Sequence, residues 1–305
     1  MESVDSQVLA AVCYLGRRTP NFRGKFHLVF KGLGSLVRSW PQHASTVTKD
    51  GTSFRDCDLN QYMYRALFVY GAYEFDVDWM VHRVLRPGDT VIDAGACFGY
   101  HALSAGKRVA PGGRVYAVEP QPEMFAALTQ NLSINALTNI EIDRIALSDH
   151  AETLKLHIFP DLDPGCTSIA TLDRCDFETI ECPAISMDDY IQRKGIGEVT
   201  LIKLDVEGSE MRVIKGARNL LSSGRPPLWI LEVNQETSRA CGYTPDDLLS
   251  LLKQYGYSFY RPVWGKLLRN IRGLQKCEDA IHGENLLCAV EGVHGNRLAS
   301  AVLNG

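Results

Sequence analysis

"DTVIDAGACFGYHAL", residues 89–103, decides how the rest of this chain is read. Thr90, Val91 and Ile92 form an apolar, β-branched run of the kind that fills a buried strand. Gly95 and Gly99 punctuate a turn, and a helical pattern follows from Tyr100. Open α/β sheets bind nucleotide-like cofactors at such a junction, beyond the strand's C-terminal end. The turn residues decide which cofactor. A dinucleotide site uses G-x-G-x-x-G and lays pyrophosphate on the helix N-terminus. Here the middle glycine is missing, and the Asp93 carboxylate would repel a phosphate at short range.

S-adenosylmethionine (SAM) has no phosphate. It carries a sulfonium cation and an ammonium group, both of which a carboxylate stabilises, so Asp93 fits SAM better than NAD or ATP. The next strand, "RVYAVEP" (114–120), ends in Glu119, suited to accept hydrogen bonds from two ribose hydroxyls. Gly95 and Gly99, with Cys97 between them, would let the backbone approach the methionine portion with no Cβ in the way. "NIEIDRIAL" (139–147) reads as the third strand, and either Asp143 or the stretch Ile145, Ala146, Leu147 at its end would flank adenine.

Strands and helices continue to alternate outward from there. "QPEMFAALTQNLSINA" (121–136) is a helix with Pro122 near its start, and "VTLIKLDVEG" (199–208) a buried strand followed by the helix "SEMRVIKGARNLL" (209–221). "PPLWILEVN" (226–234), "YSFYRP" (257–262) and "ENLLCAVEG" (284–292) read as further strands, with the Thr-capped helix "TPDDLLSLLKQYG" (244–256) among them. This rhythm implies a doubly wound, mostly parallel α/β sheet over residues 56–292. Residues 149–198 break it: "ETLKLHIF" and "TIECPAIS" are strand-like, and an insertion of that length suits a substrate wall. Residues 1–55 read as a basic helical arm ending in a hairpin around Lys49-Asp50-Gly51, and 293–305 as a tail.

The arm carries Arg17, Arg18, Arg23, Lys25, Lys31 and Arg38 against Glu2 and Asp5. Such an amphipathic segment can touch acidic lipid, but packing on the main domain is the simpler expectation. A net charge of −4 gives no nucleic-acid footprint, and no apolar run is long enough to span a bilayer. The N-terminus lacks the apolar core of a secretory signal. Nine scattered cysteines, with no C-x-x-C pair, point to free thiols in a reducing cytoplasm. Cys166, Cys175 and Cys182 are therefore read as structural thiols rather than zinc ligands.

"YGAYEFDVDWM" (70–80), "RPGDTVIDAGACFGYHAL" (86–103), "GGRVYAVEPQPEMFAALTQNLSIN" (112–135), "LIKLDVEGSEMRVIKGA" (201–217) and "PPLWILEV" (226–233) together resemble the FkbM-family methyltransferases. The resemblance spans roughly residues 55 to 290, leaving the arm outside it. It implies a class I, SAM-dependent enzyme, mostly acting on oxygen atoms of secondary metabolites and glycans. It also implies a seven-stranded sheet with an antiparallel last strand. Cys97 departs from the pattern, which typically has asparagine in that turn.

Methyl transfer needs the acceptor aligned in line with the methyl group and, for an alcohol, a group to remove its proton. "KLDVEGSE" puts Lys203, Asp205 and Glu207 on one side of a central strand end. Asp205 is the expected general base or acceptor-orienting group, with Glu207 and Glu210 next in line. Glu210 could equally cap the following helix. Glu232 at the next strand end, Ser168 in the insertion and Glu74, which the family pattern also carries, are the expected acceptor contacts. Tyr62, Tyr64, Tyr70 and Tyr73 could add to that wall or lie in the core. Asp205, Glu232 and Asn234 offer oxygen ligands for Mg²⁺, yet nothing in the spacing demands a metal, so none is expected. His101 and His157 read as packed or solvated residues.

The expected function is O-methylation of a hydroxyl on a small molecule, secondary metabolite or sugar. The competing expectation is a non-catalytic SAM-binding or partner-binding protein on the same scaffold. A DNA or RNA substrate is disfavoured because the Asn/Asp-Pro-Pro-aromatic motif of amino-methylating enzymes is absent.

Overall fold

The computed structural model describes residues 4–19, 40–159, 167–169, 176–265, 270–281, 283–299 and 301–302. Cys166 and Cys175, and the arm's Arg23, Lys25, Lys31 and Arg38, lie outside the described residues. The chain begins with helix α1 (Val4–Arg18) and the hairpin β1 (His43–Val47) and β2 (Ser53–Asp58). Helices α2 (Tyr62–Tyr70) and α3 (Phe75–Val84) lead into β3 (Thr90–Ala94) and α4 (Tyr100–Val109). β4 (Arg114–Val118), α5 (Pro122–Asn135) and β5 (Ile140–Asp143) follow. Pro122 starts α5 because its ring presets the helical φ and its missing N–H is not needed there.

β6 (Ala146–Ser148), β7 (Glu152–Ile158) and β8 (Glu178–Ser186) come next, then α6 (Met187–Lys194), whose first turn donates the Asp189 N–H to the Ser186 hydroxyl at 3.1 Å. β9 (Leu201–Leu204), α7 (Glu210–Lys215), α8 (Arg218–Leu221), β10 (Leu228–Val233) and α9 (Gln235–Ala240) continue the alternation. The chain closes with α10 (Pro245–Lys253), started by a Thr244/Asp247 capping box, then β11 (Ser258–Trp264), β12 (Ile271–Cys277), β13 (Glu284–Ala289) and α11 (Glu291–Leu298).

The main sheet has the order β12-β11-β13-β10-β9-β3-β4-β5, with β10, β9, β3, β4 and β5 mutually parallel and β13 antiparallel between β10 and β11. It holds eight strands where the resemblance implies seven. The addition is β12, an edge strand antiparallel to β11 that buries Ile271 and Leu274 among exposed polar residues. Chain order runs outward from β3 to β5 and returns at β9 on the other side of β3. The order therefore reverses at β3, and open sheets bind ligands at such a point.

Pleating explains why these strands read as near-continuous apolar runs. Val91, Val115, Ala117, Leu201, Leu228 and Ile230 pack in one core with α3 and α4. Their neighbours Ile92, Tyr116, Val118, Ile202, Trp229 and Leu231 pack on the opposite face against α6 and α10. The buried Trp229 Nε1–H is satisfied by the Tyr257 hydroxyl at 3.1 Å, which itself donates to the Pro227 carbonyl at 2.8 Å.

The insertion strands β7 and β8 form a separate sheet with β6, which precedes the insertion, in the order β6-β8-β7, with Ala146, Leu154, Leu156, Cys182 and Ala184 sharing an apolar cluster. α6, inside the stretch read as insertion, buries Met187 and Tyr190 in the main core. The expected boundaries at 55 and 292 fall within β2 and α11. α1 packs Val12 against Ala66, Val69 and Tyr70 of α2. Arg17 donates to the Val47 and Phe68 carbonyls at 2.7 and 2.8 Å, so the arm's described part is docked on the domain. Among the described residues, no helix is long and apolar enough to cross a membrane.

Candidate active site

A cavity of about 350 Å³ opens at the C-terminal ends of β3, β4, β9 and β10, a size typical of small-molecule sites. The turn after β3 lines it with Gly95, Ala96, Cys97 and Phe98; Val118, Glu119 and Pro120 follow β4; Ile145, Ala146 and Leu147 follow β5. Asp205, Val206 and Glu207 come from the β9 end and Glu232 from β10, while Leu154, Leu156 and Thr167 cover it from the insertion. Five described non-glycine residues have positive φ, and three of them, Glu74 (43°), Cys97 (49°) and Glu207 (47°), line this cavity. Strained backbone of that kind concentrates at functional sites.

Glu119 is fixed from behind. The Cys97 N–H donates to its Oε2 at 2.8 Å and the Gln121 N–H to its Oε1 at 2.9 Å. Burial pushes its carboxyl up to about 7, outweighing the pull of those two N–H groups. Each oxygen keeps a second lone pair.

The opposite end is rich in carboxylates. Lys203 Nζ donates to Asp205 Oδ2 at 2.8 Å. Burial opposes the charge on Asp205, but the Lys203 ammonium and a hydrogen bond with Glu232 outweigh it and hold the carboxyl low. The Asp205 charge, together with burial, drives Glu232 well above the usual carboxylate range, and the two side chains are hydrogen-bonded to each other. Burial and the Asp205 charge bring Glu207 up to about 8. Oxygen atoms of Asp205, Glu207 and Glu232 lie within 4.8 Å of one another. Asn234, weighed with Asp205 and Glu232 as a possible metal ligand, instead caps α9, accepting from the Glu236 and Thr237 N–H groups at 3.0 and 3.3 Å.

Several expected contacts fall elsewhere. Asp93 is 2% exposed, does not line the cavity, and has no hydrogen-bond partner on either carboxylate oxygen among the described residues. Burial raises its pKa, with Lys203 as the main counterweight. Asp143 is engaged outside the cavity by the Tyr190 hydroxyl at 2.9 Å and by Lys194 at 2.7 Å, leaving residues 145–147 at the wall. Glu210 accepts from the Val206 and Gly208 N–H groups and from the Tyr243 hydroxyl at 2.6 Å, so it braces the β9 loop. Ser168 donates to the Glu207 carbonyl, and its neighbour Thr167 is the residue that lines the cavity.

The two glycines also meet a demand of the fold itself. A Cβ on Gly95 would stand 1.7 Å from the Asp205 carbonyl oxygen, and one on Gly99 would stand 2.5 Å from Leu128 Cδ1. Close approach of protein to protein, at φ values of 83° and 92°, requires glycine there. Of the four tyrosines, Tyr62 and Tyr73 reach the cavity, while Tyr64 packs on Phe98 at 4.8 Å and Tyr70 on Phe75 at 5.7 Å.

His101, read from the sequence as a packed or solvated residue, also reaches the site. It lines the cavity from the first turn of α4, with Nε2 2.6 Å from Glu74 Oε2. Only their spatial meeting, 27 residues apart in the chain, marks the pair.

Residues 93–259 match the family model described as the methyltransferase FkbM domain. The chain belongs to the FkbM methyltransferase family. Over 188 residues it is 32% identical to the 31-O-demethyl-FK506 methyltransferase FkbM of Streptomyces tacrolimicus, covering 52% of this chain and 69% of that protein. It is 27% identical to the hexuronic acid methyltransferase AglP of Haloferax volcanii, covering 69% of this chain and 76% of the relative. Among solved structures, it is similar to a methyltransferase FkbM from Methylobacillus flagellatus KT, with 13% identity and a TM-score of 0.43, over 93% of this chain and 58% of that one. Where the FkbM turn typically carries asparagine, Cys97 sits at φ 49°, a conformation asparagine tolerates better than most residues. The contribution of Cys97 to Glu119 is its backbone N–H, which the change of side chain leaves in place.

Proposed function

We propose that this cavity binds SAM and that the chain transfers its methyl group to a hydroxyl of a small molecule, secondary metabolite or sugar. Glu119 carries the reading. Anchored through one lone pair on each oxygen and lining the cavity, it presents two further acceptor positions to a ribose diol. Val118, Ile145, Leu147, Leu154 and Leu156 supply apolar walls for adenine. The far end, with Asp205 and Glu207 facing the cavity and Asp93 buried close by, suits the positive charges of the methionine portion.

Bound SAM would supply a methyl group on positively charged sulfur, which departs as a neutral thioether. The chain's own residues then have to hold an acceptor oxygen in line and manage its proton. Asp205, kept ionised by Lys203, is placed to orient an acceptor hydroxyl by accepting its hydrogen bond. Glu207, whose carboxyl burial and the Asp205 charge push up to about 8, can donate to a second acceptor oxygen. The lysine lining the cavity is already paired with Asp205, so this end opposes a carboxylate acceptor and favours an uncharged hydroxyl.

Incubation of the chain with methyl-labelled SAM and an extract of its native cell tests the reading. The expected product is an alkali-stable methyl ether. A base-labile methyl ester would overturn the hydroxyl assignment. SAM binding without any labelled product would favour the non-catalytic alternative.

A further inference from the structure

Glu74 does something unusual for its position. It is the N-cap of α3, where a polar side chain ordinarily accepts a backbone N–H of the first helical turn. Its side chain makes no such bond, and its backbone is left-handed at φ 43°, ψ 70°. The carboxylate instead turns into the cavity, where Oε2 meets His101 Nε2 at 2.6 Å and Oε1 has no hydrogen bond among the described residues. The Glu74 side chain is 22% exposed and the His101 ring behind it 9%. Tyr100 and Tyr73 pack against that ring, with centroids 5.0 and 6.4 Å away, and its Nδ1 is buried without a hydrogen-bond partner among the described residues. His101 is thus held in one orientation and braces one oxygen of Glu74 while the other faces the cavity.

Resting on the SAM reading above, the order of the sheet says what that oxygen would meet. Residues 145–147 follow β5, at one side, and Glu119 follows β4. Adenine beside the first and ribose on the second send the remainder of the cofactor toward β3 and β9. There the Gly95–Phe98 turn, His101 at the start of α4, and Glu74 line the cavity together. Asp205 also lies at that end, but its charge is already balanced by the Lys203 ammonium on Oδ2 at 2.8 Å, which leaves it suited to a neutral hydroxyl rather than a second cation. We propose that Glu74 is the carboxylate that binds the α-ammonium group of the cofactor's amino-acid portion, with His101 as its positioning residue. An ammonium carries three N–H donors and would give the exposed oxygen of Glu74 a charge-assisted partner. Glu74 then belongs to the donor side of the site, not to the acceptor wall where the sequence places it.

The test compares two ligands that share adenine, ribose and a thioether and differ in the amino acid: S-adenosylhomocysteine, which has the ammonium, and 5′-methylthioadenosine, which lacks it. Both are titrated calorimetrically into the full chain at neutral pH. Glu74→Gln is expected to weaken S-adenosylhomocysteine roughly 10- to 150-fold and to leave 5′-methylthioadenosine within about twofold. His101→Asn, which removes only the brace, should weaken S-adenosylhomocysteine selectively by roughly 3- to 10-fold. Retained 5′-methylthioadenosine binding shows that each variant is folded. Equal loss for both ligands, or no loss for either, overturns the assignment. If the unsubstituted chain binds neither ligand, the cofactor reading itself has failed, and the assignment falls with it.

Discussion

Glu119→Gln separates the charge of the carboxylate proposed to hold the ribose from its shape. The folded carboxyl titrates at about 7 against an ordinary 4.5, chiefly because it is buried. A carboxyl whose folded pKa lies above its unfolded one takes up a proton on folding. Its contribution to stability is therefore full below about 4.5 and is lost as pH rises through about 7. The difference corresponds to on the order of 3 kcal/mol as a ceiling. Glutamine is neutral throughout, so the variant should not show this loss. At every pH it should carry a penalty of roughly 1–3 kcal/mol, because its NH₂ faces one of the two N–H groups now held at 2.8 and 2.9 Å.

Ligand binding reads the same group with the opposite sign, because the ionised form is the better acceptor for a diol. The dissociation constant for 5′-methylthioadenosine, which has no amino group of its own to titrate, should rise as pH falls below about 7, approaching tenfold per pH unit. For Glu119→Gln the same constant should be roughly 10- to 150-fold weaker at about pH 8 and nearly flat with pH. Calorimetry from about pH 5.5 to pH 8, in buffers of different ionisation enthalpy, would measure both the constant and the protons exchanged. A wild-type constant that does not change with pH, or a variant that binds as tightly as wild type at the alkaline end, would refute the placement of the ribose.

Gly95→Ala should cost roughly 3 kcal/mol or more, because the new Cβ meets the Asp205 carbonyl at 1.7 Å and the φ of 83° is itself unfavourable for alanine; a Tm within about 2 °C of wild type would contradict this. Lys203→Met should cost on the order of 1–3 kcal/mol in urea unfolding by leaving the half-buried Asp205 carboxylate without its ammonium. Adding Asp205→Asn should restore much of that loss, and a double variant no more stable than Lys203→Met would count against the pairing. Asp205→Asn alone should keep SAM affinity within roughly tenfold while cutting label transfer about 100-fold or more; undiminished transfer would remove Asp205 from the acceptor site.

The framework of this protein was legible in one dimension. Apolar β-branched runs, punctuated by glycine and proline and separated by helical patterns, state locally that a strand is buried on both faces. The parallel strands β3, β4, β9 and β10 follow from that pattern. So do the places of Glu119, Asp205 and Glu232, because a polar residue closing a buried strand emerges at the sheet's C-terminal edge. β12 escaped notice because it buries only part of one face and otherwise reads as a polar loop.

Which polar residue faces the cavity was settled by packing. Asp143, Glu210 and Ser168 are as suitable by type and position as the residues that line it. Each is instead engaged by a partner 47, 33 or 39 residues away: Tyr190, Tyr243 and the Glu207 carbonyl. Gly95 and Gly99 are read from the sequence as clearance for a ligand, and the fold adds a second demand, clearance for Asp205 and Leu128. The Glu74–His101 pair exists only because α3 and α4 dock side by side. Periodicity is a property of neighbouring residues, so a sequence reveals it directly. A buried polar atom must find its hydrogen bond wherever the folded chain brings one, and that choice is made only in three dimensions.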